Sequence, residues 1–114
     1  MGDVELSVWT ADDPAERRQG LRGVDRLPGD VDGMVFVYVT PVAASYVMED
    51  TLIALDIWWF DGDGVLVGTD AMTPCPAEPC PDYPSPGPIL TVLETPAGEY
   101  HFEVGSVIST VVSG

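Results

Sequence analysis

The chain predicts an all-β fold: a sandwich or barrel-like single domain of about seven or eight strands, with one or two short helical insertions. Three observations point there. The apolar runs are short, valine-rich and apolar on both faces, as residues 34–40 (MVFVYVT) and 52–60 (TLIALDIWWF without its threonine) show, which suits buried strands. Glycine, proline and Asp-Gly pairs separate those runs, and Asp61-Gly62-Asp63-Gly64 reads as a tight hairpin. At 114 residues the chain suits one compact unit, residues 1–114, able to bury a little under ~70% of its unfolded surface.

The elements follow in order. Val4, Leu6 and Val8 alternate with Glu5, Ser7 and Trp9, the period of a half-buried strand. Asp13 then reads as an N-cap, with Pro14 at the first helical position and Glu16 at the third, so a short helix is expected over residues 14–20. Residues 24–32 read as a loop turning at Pro28-Gly29, and the strand opened by Gly33 is expected to end before Pro41. Residues 45–48 and 52–60 read as strands separated by Glu49-Asp50-Thr51, and residues 65–67 as the return of the hairpin. Residues 73–88 hold seven of the eleven prolines and read as a stiff irregular surface loop. Residues 89–95 resume as a strand, 100–104 fit either a helical turn or a strand, and 106–112 read as a last strand.

Charge narrows the partners. Nineteen acidic residues face four arginines, with no lysine, for a net charge of −15. The four cations, Arg17, Arg18, Arg22 and Arg26, share one ten-residue window. Such a surface repels phosphate backbones and anionic lipid, so no nucleic-acid partner and no membrane-surface role is expected; it attracts cations or a basic partner, or serves solubility. Asp56 interrupts the longest apolar run, which falls short of the ~20 residues of a membrane span, so no membrane insertion is expected either. The oligomeric state is left open.

Asp56 stands out as a carboxylate inside an apolar strand, a position that needs hydrogen bonds or an opening to solvent. Cys75 and Cys80 bracket four residues, two of them proline. A disulfide there contributes roughly 2 kcal/mol in the chain-entropy model; free thiols, or metal or redox work, are the other readings. Asp61 to Gly64 resembles the opening of a calcium loop, but Met72 stands where that loop needs its last carboxylate, and a hairpin is the better reading. No metal and no cofactor is expected. His101, the sole histidine, has no nucleophile placed beside it by any motif, so a triad is unsupported.

A family resemblance rests on Asp12-Asp13-Pro14-Ala15-Glu16-Arg17 with Gly20-Leu21, then Gly33-Met34-Val35-Phe36, and the stretch from Met48 to Asp56. It continues through Cys80-Pro81 with Tyr83, Leu93-Glu94 with Pro96-Ala97-Gly98, and Val104-Gly105. In that order and spacing these residues resemble the domain-of-unknown-function family 192, small bacterial and archaeal proteins. The resemblance implies a β-rich sandwich-like fold and, for many relatives, export from the cytoplasm; it implies no established activity. The family's central motif runs Trp-Met-Lys-Asn-Thr, two residues, then Pro-Leu-Asp. Here Val47 replaces the tryptophan, Glu49 the lysine and Ala54 the proline, while Met48, Thr51 and Asp56 are kept; Ser106 replaces an aspartate near the end.

The functional expectation is a non-catalytic binding module for a carbohydrate, peptide or small metabolite, with Met48, Asp50, Thr51, Asp56, Tyr83 and Glu94 as binding residues. Trp58, Trp59 and Tyr83 are the aromatic residues that could line its groove. One alternative is a hydrolase working through Asp56 with Asp50 or Glu94; another is an acidic interaction protein with a basic partner. A purely structural reading has Asp50 and Thr51 capping a turn and Asp56 accepting from backbone amides. Pairing of Cys75 with Cys80 would fit an oxidising compartment, so with the resemblance the expectation is a place outside the cytoplasm, periplasmic or secreted, with a cytoplasmic place as the alternative.

Overall fold

A computed structural model describes residues 5–108. It is all-β apart from one helix. The order is β1 (Val8–Ala11), α1 (Pro14–Gln19), β2 (Gly33–Val42), β3 (Ser45–Tyr46), β4 (Leu55–Phe60), β5 (Leu66–Met72), β6 (Tyr83–Pro84) and β7 (Ile89–Pro96). Five strands form one mixed sheet in the order β1-β2-β7-β4-β5, with β1 parallel to β2 and the other pairs antiparallel. The remaining two, β3 and β6, form a separate two-stranded ladder.

Each face of the large sheet buries its own apolar cluster. On one face Ala11, Met34, Phe36, Leu55, Ile57, Trp59 and Val92 pack with Leu21, Met48, Met72 and Ile89. Tyr46 of β3 and Tyr83 of β6 close over this cluster, and Tyr46 meets Phe36 edge-on at 5.5 Å between ring centres. On the other face Trp58, Phe60, Leu66 and Leu93 are covered by Tyr100, Phe102 and Ile108. Phe102 sits edge-on to Trp58 at 4.8 Å and stacks on Tyr100 at 5.9 Å. Trp58 and Trp59 are therefore core residues on opposite faces, each only 3% exposed, and neither lines a groove.

The sheet sets boundaries that periodicity alone misplaces. β2 continues through Pro41 to Val42 because the register slips there: Val37 pairs with Thr91, but Val42 pairs with Ile89. Pro41 lies in that bulged stretch, where no backbone donor is needed. β4 begins at Leu55 rather than at residue 52, since its two neighbours end there: Leu55 pairs with Pro96 on one side and Met72 on the other. Leu52 is left 56% exposed. β3 stops at Tyr46, and Met48 turns into the core instead of extending the strand. The first strand spans Val8–Ala11, later than expected, and Val4 lies outside the described residues.

Local signals hold where they are self-contained. Asp13 caps α1 by accepting from Glu16 N at 2.8 Å, and Glu16 reaches back to Asp12 N at 3.1 Å. The β4–β5 hairpin is pinned by Asp61, whose Oδ1 accepts from Asp63 N and Val65 N, with Gly64 at φ 77°. The proline-rich loop is not wholly irregular, because Tyr83–Pro84 pairs with Ser45 and Tyr46. Residues 100–104 form neither helix nor strand. Of the last expected strand, Val107 bridges to Val65, and residues 109–112 lie outside the described residues.

Candidate functional site

A groove of about 800 Å³ opens on the first face, between α1 with the turn after it and the ladder strand β3. That volume is typical of small-molecule sites. Its wall carries Arg17, Arg18 and Arg22, its sides Phe36, Tyr38, Tyr46 and Met48, and its floor includes Glu94. The sheet register explains the floor. Glu94 pairs with Met34 on β2 and Ile57 on β4, so its side chain shares their face. It is 5% exposed and makes no hydrogen bond or ion pair among the described residues. Burial pushes its carboxyl up from 4.5 to about 8, so at neutral pH it is the uncharged acid.

The polar groups around it are held in place. The Tyr38 and Tyr46 hydroxyls hydrogen-bond to each other at 2.8 Å. Burial first, then that hydrogen bond, raises the Tyr46 phenol well above its ordinary range, with the Glu94 carboxyl adding to the effect and Arg17 opposing it. Arg17 is fixed twice: its Nη1 donates to Val37 O at 2.9 Å and its guanidinium lies 4.7 Å from the centre of the Tyr38 ring. Arg22 is neutralised by Glu49 at 3.2 Å and Asp50 at 3.6 Å. Hydrogen bonding to Glu78, then to Arg22, holds Glu49 below the ordinary carboxylate range, and the contact with Glu49 pushes Glu78 up.

The structure brings together only some of the residues singled out in the sequence. Met48, Thr51 and Glu94 line the groove. Asp50 stands at its edge with φ 60°, its side chain largely exposed and turned to Arg22, while its carbonyl accepts from Gly23 N at 2.8 Å. Tyr83 is half-buried under the ladder, with its hydroxyl 3.4 Å from Thr73 N. Asp56 is on the far face, opposite Thr95, where its Oδ2 accepts from Gly98 N at 2.9 Å. Asp56 and Glu94 are therefore separated by the sheet and share no cleft. The sequence reading missed Arg17, Arg18, Tyr38 and Tyr46 as site residues. The confinement of every cation to one window was the available signal for the arginines. Cys75 and Cys80 are disulfide-bonded, Cα to Cα 5.7 Å, and Cys75 bridges to Glu49 beside the groove.

Glu94 and Met48 belong to segments that also carry a family pattern. The model of the domain-of-unknown-function family 192 (DUF192, "Uncharacterized ACR, COG1430") matches residues 1–109. The chain belongs to this family. Among solved structures it is similar to a protein of unknown function from Novosphingobium aromaticivorans DSM 12444, with 31% identity and a TM-score of 0.68. The match covers 78% of this chain and 61% of that one, so the chain spans less than two thirds of that protein's length. It is also similar in fold to a Sinorhizobium meliloti 1021 protein described as "a putative transcription regulator", with 24% identity and a TM-score of 0.67 over 85% of this chain and 86% of that one. No curated protein matches the chain. No helix among the described residues is long and apolar enough to cross a membrane.

Proposed function

We propose that this member of family 192 is a non-catalytic binding module whose ligand enters the groove over Glu94. One observation carries the reading: a carboxyl buried to 5% exposure, without a hydrogen-bond partner among the described residues, forms part of the floor of an open groove. Among the described residues, the fully buried, unpaired side-chain atom on this face is Trp59 Nε1, so the Glu94 oxygens are not sealed in. A carboxyl without an internal partner that lines a cavity is a place for a ligand's polar atom. A carbohydrate, a short peptide or a small metabolite supplies such atoms. Met48, Thr51 and Glu94 are the binding residues of this reading, joined by Tyr46.

A hydrolase would need a second carboxylate beside Glu94, whereas among the described residues lining the groove Glu94 is the one carboxylate, and Glu49 and Asp50 at its edge are turned to Arg22. The description of the Sinorhizobium protein is not carried over, since a net charge of −15 opposes a nucleic-acid backbone. The Cys75–Cys80 disulfide supports a place outside the reducing cytoplasm. Ligand-detected NMR with libraries of glycans, peptides and metabolites tests the module. Hits should perturb amides near Phe36, Tyr46, Met48 and Glu94; a library that perturbs none of them removes the reading.

A further inference from the structure

We infer that the groove takes a small anion that also carries a hydroxyl or carbonyl group, its charge against Arg17 and Arg18 and its polar oxygen on Glu94. This deepens the binding reading above and rests on it. A short hydroxy acid, a sugar acid or a sugar phosphate has that chemistry.

The distribution of charge comes first. From residue 27 onward the chain has no arginine or lysine, and three of its four cations line one groove. A polyanion cannot lie along a surface this acidic, but a small anion needs only the arginine wall. The three arginines are not equivalent there. Arg22 is already matched by Glu49 and Asp50. Arg17 spends one N–H on Val37 O and is stacked on Tyr38, which orients its remaining donors without consuming them. Arg18 makes no hydrogen bond or ion pair among the described residues. Both residues line the groove with donors left over, and a guanidinium group suits a carboxylate or phosphate.

The floor complements that wall. An ionised carboxylate under the arginines would repel an incoming anion, whereas burial keeps Glu94 in its neutral form up to about pH 8. A neutral carboxyl both donates and accepts, so it serves a ligand hydroxyl or carbonyl. The titratable groups facing it are Tyr38 and Tyr46 from the β2 and β3 side and the three arginines from α1 and the turn after it. The flanking strand residues on its face, Met34 and Ile57, do not titrate. Burial and the hydroxyl pair keep Tyr46 neutral, so Glu94 is the group whose ionisation changes the floor. Phe36, Met48 and Leu21 supply apolar sides that limit ligand size.

Glucuronate, with glucose as its uncharged counterpart and ethanolamine as a cationic probe, tests the inference by calorimetry and amide-shift titration at low salt. Glucuronate should bind in the groove and glucose at least about tenfold more weakly. Glucuronate affinity should fall about tenfold between about pH 6.5 and about pH 9 as Glu94 ionises, and Glu94→Gln should bind at the lower pH but lose that dependence. Arg18→Gln should weaken glucuronate about tenfold; because Arg18 is exposed and makes no hydrogen bond or ion pair among the described residues, the fold does not depend on it, and Arg17→Gln serves as the second variant. Equal binding of glucose and glucuronate, or preference for ethanolamine, overturns the anion assignment and leaves the binding module standing. Amides of the groove unmoved by these probes and by the wider libraries overturn both.

Discussion

Glu94 and Thr95 are neighbours in sequence, both buried, and point to opposite sides of one sheet. Thr95 Oγ1 accepts from Trp58 Nε1 at 3.1 Å, under a lid formed by Tyr100 and Phe102. Glu94 has no such partner, and on its side Trp59 Nε1 is also unpaired among the described residues. The Trp58–Trp59 pair thus repeats the contrast one strand away. The sealed face pairs Trp58 with Thr95; the face with the groove pairs its tyrosine hydroxyls but leaves Glu94 and Trp59 Nε1 without partners among the described residues. Burying an unpaired polar group costs free energy, so the protein retains at Glu94 a disadvantage that better packing would have removed. That is the pattern expected where a site, rather than a core, is being maintained.

The largest test of the contrast is on the sealed side. Trp58→Ala removes the ring against which Phe102 packs, together with the donor to Thr95, and should destabilise by about 3–5 kcal/mol in urea unfolding. A loss below about 1 kcal/mol would mean that this face is not a consolidated core, and the comparison would fail.

Next in size is the pH dependence written by Glu94. Its folded value, about 8, lies above its ordinary 4.5, so between those pH values the folded state holds a proton that the unfolded chain has released. The contribution of Glu94 is therefore most favourable below about pH 4.5 and is lost as pH rises to about 8. Measured as the difference between wild type and Glu94→Gln, which cancels the repulsion common to both chains, the loss should be about 2–4 kcal/mol between pH 5 and pH 8. A flat difference across that window would show that Glu94 is solvated or paired, and the two faces would no longer differ.

Thr95→Val should cost about 1–2 kcal/mol, because it leaves Trp58 Nε1 without its acceptor. Adding Trp58→Phe should then cost less than it does in the wild type, since the orphaned donor goes with it. Additive losses in that cycle would detach the two residues. The smallest effect belongs to Asp56→Asn, which keeps an acceptor oxygen for Gly98 N at a half-buried position. A loss of about 1 kcal/mol, a few degrees in melting temperature, is expected at neutral pH. An unchanged or higher melting temperature would show that Asp56 is not held for structure, and would return it to the candidates for function.

Composition, periodicity and local turn chemistry were enough for the all-β class, the capped helix at Asp13 and the hairpin at Asp61, while the family came from the resemblance of motifs spread along the chain. The first three depend on residues within a few positions of one another, where sterics and short hydrogen bonds act without help from the rest of the fold. The partners of long-range elements decided the rest. β4 starts where its two neighbours end, and Pro41 lies inside a strand because a bulge there needs no donor. The sequence singled out Asp56 as a carboxylate in an apolar strand and offered Glu94 as a partner for it in one cleft. The pairing of Ile57 rather than Asp56 with Glu94 placed them on opposite faces, one bonded to a turn amide and the other at the floor of a groove. Side-chain direction in a sheet alternates residue by residue, so a one-residue difference in register decides which face a carboxyl occupies. That register is set only when strands distant in sequence meet.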